Sequence, residues 1–288
     1  MHRTSVVIIM YLLFDIGGTR TRLAYSSDGE KFGAPVIIDT PADFNHGLKA
    51  ISEIGRDLIK GRPLRGLAGG IAGPLNREKS ILINPPNLPG WDHMPIKTRL
   101  AEAFDVPVKL ENDSAVVGLG EAAVGAGHGH EIVAYITVST GIGGARIVNG
   151  AIDVSISGFE PGHQIIDLDG TALADNPHGE LEKFASGTAV KARYEQEPWE
   201  IKDDRVWDDL AHYLAVGLHN TILHWSPSIL VLGGAMMTKK PGIAIEKVEL
   251  ELKTLMKTFP SLPKLVTAQL GSIGGLHGAL VLARDIRD

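Results

Sequence analysis

Cysteine is absent from the 288 residues. That one absence excludes disulfides, thiolate metal sites and cysteine nucleophiles together. A long apolar run is missing as well: Val6 to Phe14 is apolar but then meets Asp15, far short of the roughly 20 residues a bilayer-spanning helix needs. With no small-residue cleavage site behind it, the run reads as a buried first strand, not a signal peptide, and the cytoplasm is the expected compartment. Met10 lies just before the strand proper, so a start there would remove little of the fold. Positive charge is not in excess: 28 Lys and Arg stand against 34 Asp and Glu, a net charge of −6. Neither nucleic acid nor an anionic membrane is therefore expected as a partner. Two common nucleotide signatures are also missing. There is no Gly-x-x-x-x-Gly-Lys-Ser/Thr, and no Gly-x-Gly-x-x-Gly sits between a strand and a helix with an acidic residue at the right distance.

What is present is an average globular composition, 44% hydrophobic and 22% charged, in a chain long enough for two domains. Two glycine turns carry the most information. Asp15-Ile-Gly-Gly-Thr19 follows the first apolar run, and Ser139-Thr-Gly-Ile-Gly-Gly144 follows the strand-like Ile132 to Val138. Gly17, Gly18, Gly141 and Gly143 would let the backbone bring bare N–H groups against phosphate oxygens, and Thr19 and Thr140 add hydroxyl donors. Glycine is abundant here, 34 residues, so each turn alone is equally a tight structural turn. The carboxylate of Asp15 repels phosphate, and its place beside a phosphate loop implies a mediating cation, most simply Mg²⁺ held through water.

Along the chain, short strands are expected at Tyr11 to Asp15, Thr21 to Ser26 and Pro35 to Asp39, antiparallel to one another. Phe44, Leu48, Ile51, Ile54 and Leu58 recur at helical spacing, with Asp43 at the start and Gly61 just beyond. A strand over Leu64 to Ile71, a helix over Pro95 to Phe104 and a strand over Val106 to Leu110 lead to Glu111-Asn112-Asp113. The order then resumes with a helix over Ser114 to Val124, a strand over Ile132 to Val138 and a hairpin closed at Asn149-Gly150. A long helix follows from Val206 to Trp225, with Pro227 beyond it. Ile229 to Leu232 is a buried strand running into a third glycine turn, Gly233-Gly234-Ala235. Helices over Ile243 to Lys257 and Gly274 to Arg284 flank a strand over Leu265 to Ala268. Two α/β halves meeting near residue 113 would leave a cleft, where ligands of such folds bind.

Glu111-Asn112-Asp113 places three polar groups at the carboxyl end of a strand. Asn112 or Asp113 could simply cap the next helix; beside two phosphate turns, one carboxylate reads better as a base that takes a hydroxyl proton in phosphoryl transfer. Glu160 and His163 flank Pro161-Gly162, a turn able to hold both toward one pocket, although a lone histidine is commonly structural. In Asn87-Leu-Pro-Gly-Trp91, Trp91 reads as a packing anchor. His212, His219 and His224 share one helix without supporting carboxylates and read as surface residues.

Asp15 to Thr19, Pro86-Asn-Leu-Pro-Gly-Trp91, Glu111 to Asp113, Thr140-Gly-Ile-Gly-Gly144, Gly158-Phe-Glu-Pro-Gly-His163, and Leu181-Glu182 before Ala185-Ser-Gly187, in this order and spacing, resemble the ROK family of sugar kinases and sugar-responsive repressors. The resemblance runs from Asp15 to Gly278. It implies a two-domain actin-like ATPase (ribonuclease-H-like) α/β fold with an interdomain cleft: a smaller domain over 10–113, joined by the C-terminal helix 274–288, and a larger one over 114–273 carrying the nucleotide and dimer surfaces. It implies a kinase using ATP and Mg²⁺, with Asp113 as base and Asn112, Glu160, His163 and Glu182 on sugar hydroxyls, since charged and amide groups pair well with neighbouring hydroxyls. Asn87 and Gly73 would approach the sugar from the smaller domain, and Gly234 would lie on the adenosine side. A homodimer and a small-molecule sugar are the implied partners, and transfer to the 6-hydroxyl of a hexose, glucose foremost, is the implied reaction.

The chain departs from the family in one place. Many members bind a structural zinc through the histidine matching His163 and three following cysteines. Gln164 to Glu180 holds none, Glu180 stands where the last would be, and the usual zinc site cannot form. Packing or a hydrogen bond is expected to orient His163 instead. Asp167, Asp169, Asp175 and His178 read as ordinary surface. Three rivals remain open: a polyphosphate-dependent glucokinase, since some members using that donor also lack the cysteines; an N-acetylhexosamine kinase or fructokinase; and a non-catalytic sugar-binding protein. A repressor would need a DNA-binding domain, for which the 14 residues before Asp15 are too few.

Overall fold

The computed structural model describes residues 10–173, 176 and 178–286. The first part of the Val6 run and Asp175 lie outside the described residues. The chain forms two compact units. One comprises the described residues up to Gly120, Ile156–Gly158 and the segment from Ser272; the other comprises Glu121–Ser155 and Phe159–Gly271.

The first unit opens with β1 (Met10–Ile16), β2 (Arg20–Ser26), β3 (Val36–Asp39), α1 (Phe44–Ile59), β4 (Leu64–Ile71), α2 (Ile96–Phe104), β5 (Val108–Asn112) and α3 (Asp113–Val124), the last running past the unit's edge. Its sheet has the order β3-β2-β1-β4-β5; the first three strands are antiparallel, and β4 and β5 run parallel to β1. β1 is buried along its whole length, and its period of two feeds two cores. Leu12, Phe14 and Ile16 join Phe44, Leu48 and Ile51 of α1 on one face. Tyr11 and Leu13 join Leu276, Ala279 and Leu280 from the C-terminal helix on the other. Asp43 caps α1 by accepting from the His46 amide at 2.9 Å. Lys60 at φ 50° and Gly61 at φ 70° end it in left-handed backbone. Trp91 is 1% exposed and donates Nε1–H to the Pro41 carbonyl, so it is the packing anchor its setting implied.

The second unit contains β6 (Ile132–Val138), β7 (Ile142–Val148), β8 (Ala151–Ile152), α4 (Leu181–Ala185), α5 (Gly187–Tyr194), α6 (Asp204–Trp225), β9 (Ile229–Gly233), α7 (Ala235–Thr238), α8 (Ile245–Leu255) and β10 (Lys264–Thr267). Its sheet has the order β10-β9-β6-β7-β8, with β9 parallel to both β6 and β10. Leu210, Leu214 and Leu218 of α6 cover Ile136, Leu230 and Leu232 of the sheet. The chain then returns to the first unit with α9 (Gly274–Arg284).

Three local differences bear on function. Asp15 lies within β1, not in the turn after it, because the antiparallel ladder extends to Ile16 opposite Thr21. The Ser139–Gly144 stretch is shorter as a turn than its glycines imply: Gly143 and Gly144 belong to β7, opposite Thr137 and Ile136. A Cβ on Gly144 would lie 2.5 Å from the Tyr135 carbonyl oxygen, so that glycine serves close strand packing. Asp113 is the first residue of α3, where a helix from Ser114 was expected. Among the described residues, no helix is long and apolar enough to cross a membrane.

Candidate active site

Both glycine motifs fold as β-hairpin turns built on the same principle. In the first, the Gly17 N–H closes the turn on the Arg20 carbonyl at 2.9 Å. Thr40 buttresses it, its amide on the Thr19 carbonyl and its hydroxyl on the Gly17 carbonyl at 2.7 Å. In the second, the Ser139 N–H closes on the Gly141 carbonyl at 2.8 Å, while the first amides of α5, Gly187 and Thr188, take the Ser139 and Thr140 carbonyls. Carbonyl oxygens are thus engaged in both turns. The amides of Gly18, Thr19, Thr140 and Gly141 have no acceptor among the described residues. Two donors per turn with neighbouring carbonyls drawn aside is the arrangement an anionic phosphate needs.

Asp15 is 7% exposed and receives the Arg22 guanidinium on Oδ2 at 3.2 Å. Burial pushes its carboxyl above the ordinary aspartate value, and Arg22 partly opposes the rise through its charge and hydrogen bond. Gly275 at the head of α9 comes so close that a Cβ there would lie 2.6 Å from Asp15 Cγ. No group of three or more His, Asp or Glu able to hold a metal occurs among the described residues. One carboxylate with one oxygen committed fits Mg²⁺ that keeps its waters and phosphate ligands, not an all-protein cage.

Asn112 and Asp113 sit where β5 becomes α3. Asn112 is tied at both ends of its amide: Oδ1 accepts from the Ala115 N–H at 3.2 Å, capping α3, and Nδ2 donates to the Gly73 carbonyl at 3.1 Å, which leaves one N–H and one lone pair for a further partner. The capping alternative is therefore realised by Asn112, which also fixes Gly73, a glycine at φ 121°. Asp113 Oδ1 accepts its neighbour's N–H, from Ser114, at 2.8 Å. Glu111, the strand residue before them, accepts a hydrogen bond from Lys79 and turns its other oxygen to the Asn112 amide. Asn87 lies against the first hairpin, its Cβ only 2.6 Å from where a Gly18 Cβ would stand.

In the second unit, Glu160, His163 and Glu182 share one electrostatic neighbourhood. The Glu160 carboxyl is held above the usual glutamate value, chiefly by desolvation, with His163 opposing and Glu182 adding to the rise. Glu182 is anchored on the second hairpin: its Oε2 accepts the Ile142 N–H at 2.6 Å. His163 Nδ1 lies 3.4 Å from Glu180 Oε2, so the orienting partner expected in place of zinc is the carboxylate at the last cysteine's position. Gly234, at φ 85°, precedes α7, where a Cβ would meet the Val138 carbonyl oxygen at 2.2 Å.

Three site residues escaped sequence reading. Arg22 was recoverable: centring the first turn as a hairpin pairs Asp15 with Arg22 directly. Lys79 reaches Glu111 across 32 positions, and Asn176 is buried at 2% exposure; neither carries a local signal. His212, by contrast, pairs with Glu251 at 2.8 Å on the surface.

Hairpin amides without acceptors among the described residues, a carboxylate at a strand end and, in the second unit, acids with a histidine are groups able to bind phosphate, take a proton and bind hydroxyls. The comparisons with known proteins supply the class. The ROK family model matches residues 11–286, and the chain belongs to that family. A glucokinase of Thermotoga maritima is 25% identical over 309 aligned positions, covering 94% of this chain and 96% of the relative. The crystal structure of a ROK hexokinase from Thermus thermophilus superposes with a TM-score of 0.80 at 27% identity, covering 96% of this chain and 99% of the other. A ROK glucokinase from Streptomyces griseus, solved with glucose and AMPPNP, shares the fold with a TM-score of 0.77 at 23% identity, covering 96% and 99%.

Proposed function

We propose that the enzyme transfers the γ-phosphoryl group of ATP to the 6-hydroxyl of a hexose, with glucose the first candidate. The observation that carries this reading is the pair of hairpins, each holding two amides without an acceptor among the described residues. Such donors suit the β- and γ-phosphates, because preorganised N–H groups stabilise charge at no reorganisation cost when the reaction occurs. Mg²⁺ beside Asp15 would neutralise charge on the phosphate oxygens. Asp113, held by its place at the head of α3, would accept the hydroxyl proton and aim the oxygen at the phosphorus. Glu160 and Glu182 would accept sugar hydroxyls and His163 would hold another. Asn112 would fix the Gly73 backbone through one N–H and offer its second N–H to a sugar hydroxyl. The relatives' names, glucokinase and hexokinase, agree with a hexose acceptor.

The test is a coupled phosphorylation assay with ATP and Mg²⁺ over hexoses and N-acetylhexosamines, with polyphosphate as a second donor and Asp113→Asn beside the parent. Turnover of one hexose with ATP, reduced about 10²- to 10⁴-fold in the variant while hexose binding persists, is the expected outcome. Turnover only with polyphosphate would transfer the chain to the other donor class. An Asp113→Asn variant as active as the parent would return Asp113 to a purely structural role.

A further inference from the structure

The chain has no cysteine, so a closed thiolate zinc site is ruled out, yet the segment between His163 and Glu180 is fastened at both ends. Its two arms run antiparallel: the Leu181 amide bonds the Gln164 carbonyl at 3.0 Å, and the Ile166 amide bonds the Gly179 carbonyl at 2.8 Å. Between these bonds, Ile165 and Glu180 face each other as a bridge. In such a pair the two residues do not bond each other, and their backbone groups point outward. Glu180's outward groups are both met by one side chain. Asn176 Nδ2 donates to the Glu180 carbonyl at 3.1 Å, and its Oδ1 accepts the Glu180 N–H at 3.2 Å. The amide side chain thus takes the place of a third strand. Its own backbone is tied as well, its N–H to the Leu173 carbonyl and its carbonyl to the Gly179 N–H. At Gly179, with φ 66°, a Cβ would stand 1.9 Å from the Asp167 carbonyl oxygen, so the arms close only around glycine.

Two functional side chains hang from this junction. The Glu180 carboxylate faces His163 Nδ1. In the neutral tautomer with its proton on Nδ1, the imidazole would donate to this carboxylate and leave the Nε2 lone pair for a hydroxyl donor. Two residues on, Glu182 lies in the first turn of α4 and accepts the Ile142 N–H. We infer that Asn176 and Glu180 form a metal-free lock that positions His163 and Glu182 for hydroxyl recognition, Asn176 by fixing the backbone and Glu180 by holding the imidazole. The inference rests on the proposed sugar site for what the lock serves; the lock itself rests on the bonds just described. Both are positioning residues.

The experiment combines calorimetric titration with amide hydrogen exchange over residues 164–181, on the parent, Asn176→Ala, Glu180→Ala and Glu180→Gln, with and without EDTA. Titrants are the hexose the parent phosphorylates and AMPPNP. EDTA is expected to change neither hexose affinity nor exchange in the parent. Glu180→Ala should weaken hexose binding roughly tenfold, the scale of one lost hydrogen bond to a charged group, and leave AMPPNP affinity unchanged. Glu180→Gln should recover most of the loss, because its amide oxygen still accepts from Nδ1–H. Asn176→Ala should speed exchange at the Ile166, Glu180 and Leu181 amides and weaken hexose binding at least as much. Parent-like hexose binding in both alanine variants overturns the lock, as does zinc release by EDTA with loss of affinity. If the parent binds no hexose, the proposed function fails, and exchange alone then judges the lock: unchanged protection in Asn176→Ala sinks it. Should Asn176→Ala not fold, the two Glu180 variants, altering a side chain only 29% exposed but outside the backbone bonds, carry the test.

Discussion

Replacing Gly141 by alanine isolates the contact between the second hairpin and Glu182. The new methyl would stand 2.5 Å from Glu182 Oε2 and 3.1 Å from Cδ, so the carboxylate must turn away. Turning breaks its 2.6 Å bond from the Ile142 amide, at a residue only 3% exposed. A buried N–H left without its acceptor costs about 1–3 kcal/mol. The backbone at Gly141 is not in the left-handed region, so alanine brings no torsional strain; by narrowing the unfolded ensemble it contributes about 0.4–1 kcal/mol of stability. The net expectation is a loss of about 1–2 kcal/mol. A double-mutant cycle separates the effects: in a Glu182→Ala background the clash is gone, and Gly141→Ala should be neutral or slightly stabilising. Urea unfolding of the parent, the two single variants and the double variant measures the coupling. Equal cost of Gly141→Ala in both backgrounds would refute the reasoning, since the loss would then come from the turn and not from Glu182.

Glu160 gives a pH signature. Because its carboxyl is held above the ordinary glutamate value, chiefly by desolvation, hexose affinity should rise with pH through a window that begins above that value; Glu160→Gln should bind more weakly and lose this dependence in titrations across the acid range. Stability runs the other way. A raised carboxyl favours the protonated folded form, so its contribution is complete below the unfolded-chain value and is lost as pH rises through the folded one. Glu121, fully buried, accepts the Ala126 N–H on Oε2 and the Gln269 and Leu270 N–H groups on Oε1 at 2.8–2.9 Å. Glu121→Ala should cost about 3 kcal/mol or more in urea unfolding by stranding these donors, and Glu121→Gln less because one oxygen still accepts; a loss under about 0.5 kcal/mol in Glu121→Ala would show that water replaces the carboxylate.

Elements bounded by turn signals were legible in full. Leu64–Ile71, Ile132–Val138 and Gly274–Arg284 lie where their patterns end, because burial on one or both faces leaves the chain no alternative register. Local polar chemistry was legible at Asp43, whose capping of α1 needs only neighbours in sequence. The residues that stayed hidden act across distance. Asn112 looked like a sugar ligand or a cap, and nothing near it announces that its Nδ2 will meet Gly73, 39 positions away. Asn176 is similar: one buried amide in a polar stretch has no pattern, and its meaning appears only when Glu180 presents both backbone groups to it.

The glycine motifs show why composition alone cannot locate a phosphate cradle. By type, Gly17, Gly18, Gly141 and Gly143 are equivalent, yet hairpin pairing separates them. Gly17 gives its N–H to the Arg20 carbonyl, and Gly143 lies inside the β6–β7 ladder opposite Thr137. Gly18 and Gly141 remain at the turn apices, each beside a threonine whose amide is equally without an acceptor among the described residues. Binding capacity therefore follows from which amides the ladder leaves over, a property of register. The same register puts Arg22 across from Asp15, so the first hairpin sets both the donors proposed for phosphate and the charge that tempers its buried carboxylate. A one-residue slip of β2 would disturb both at once, which ties the chemistry of this turn to the Leu23 and Ala24 packing that holds β2 in place.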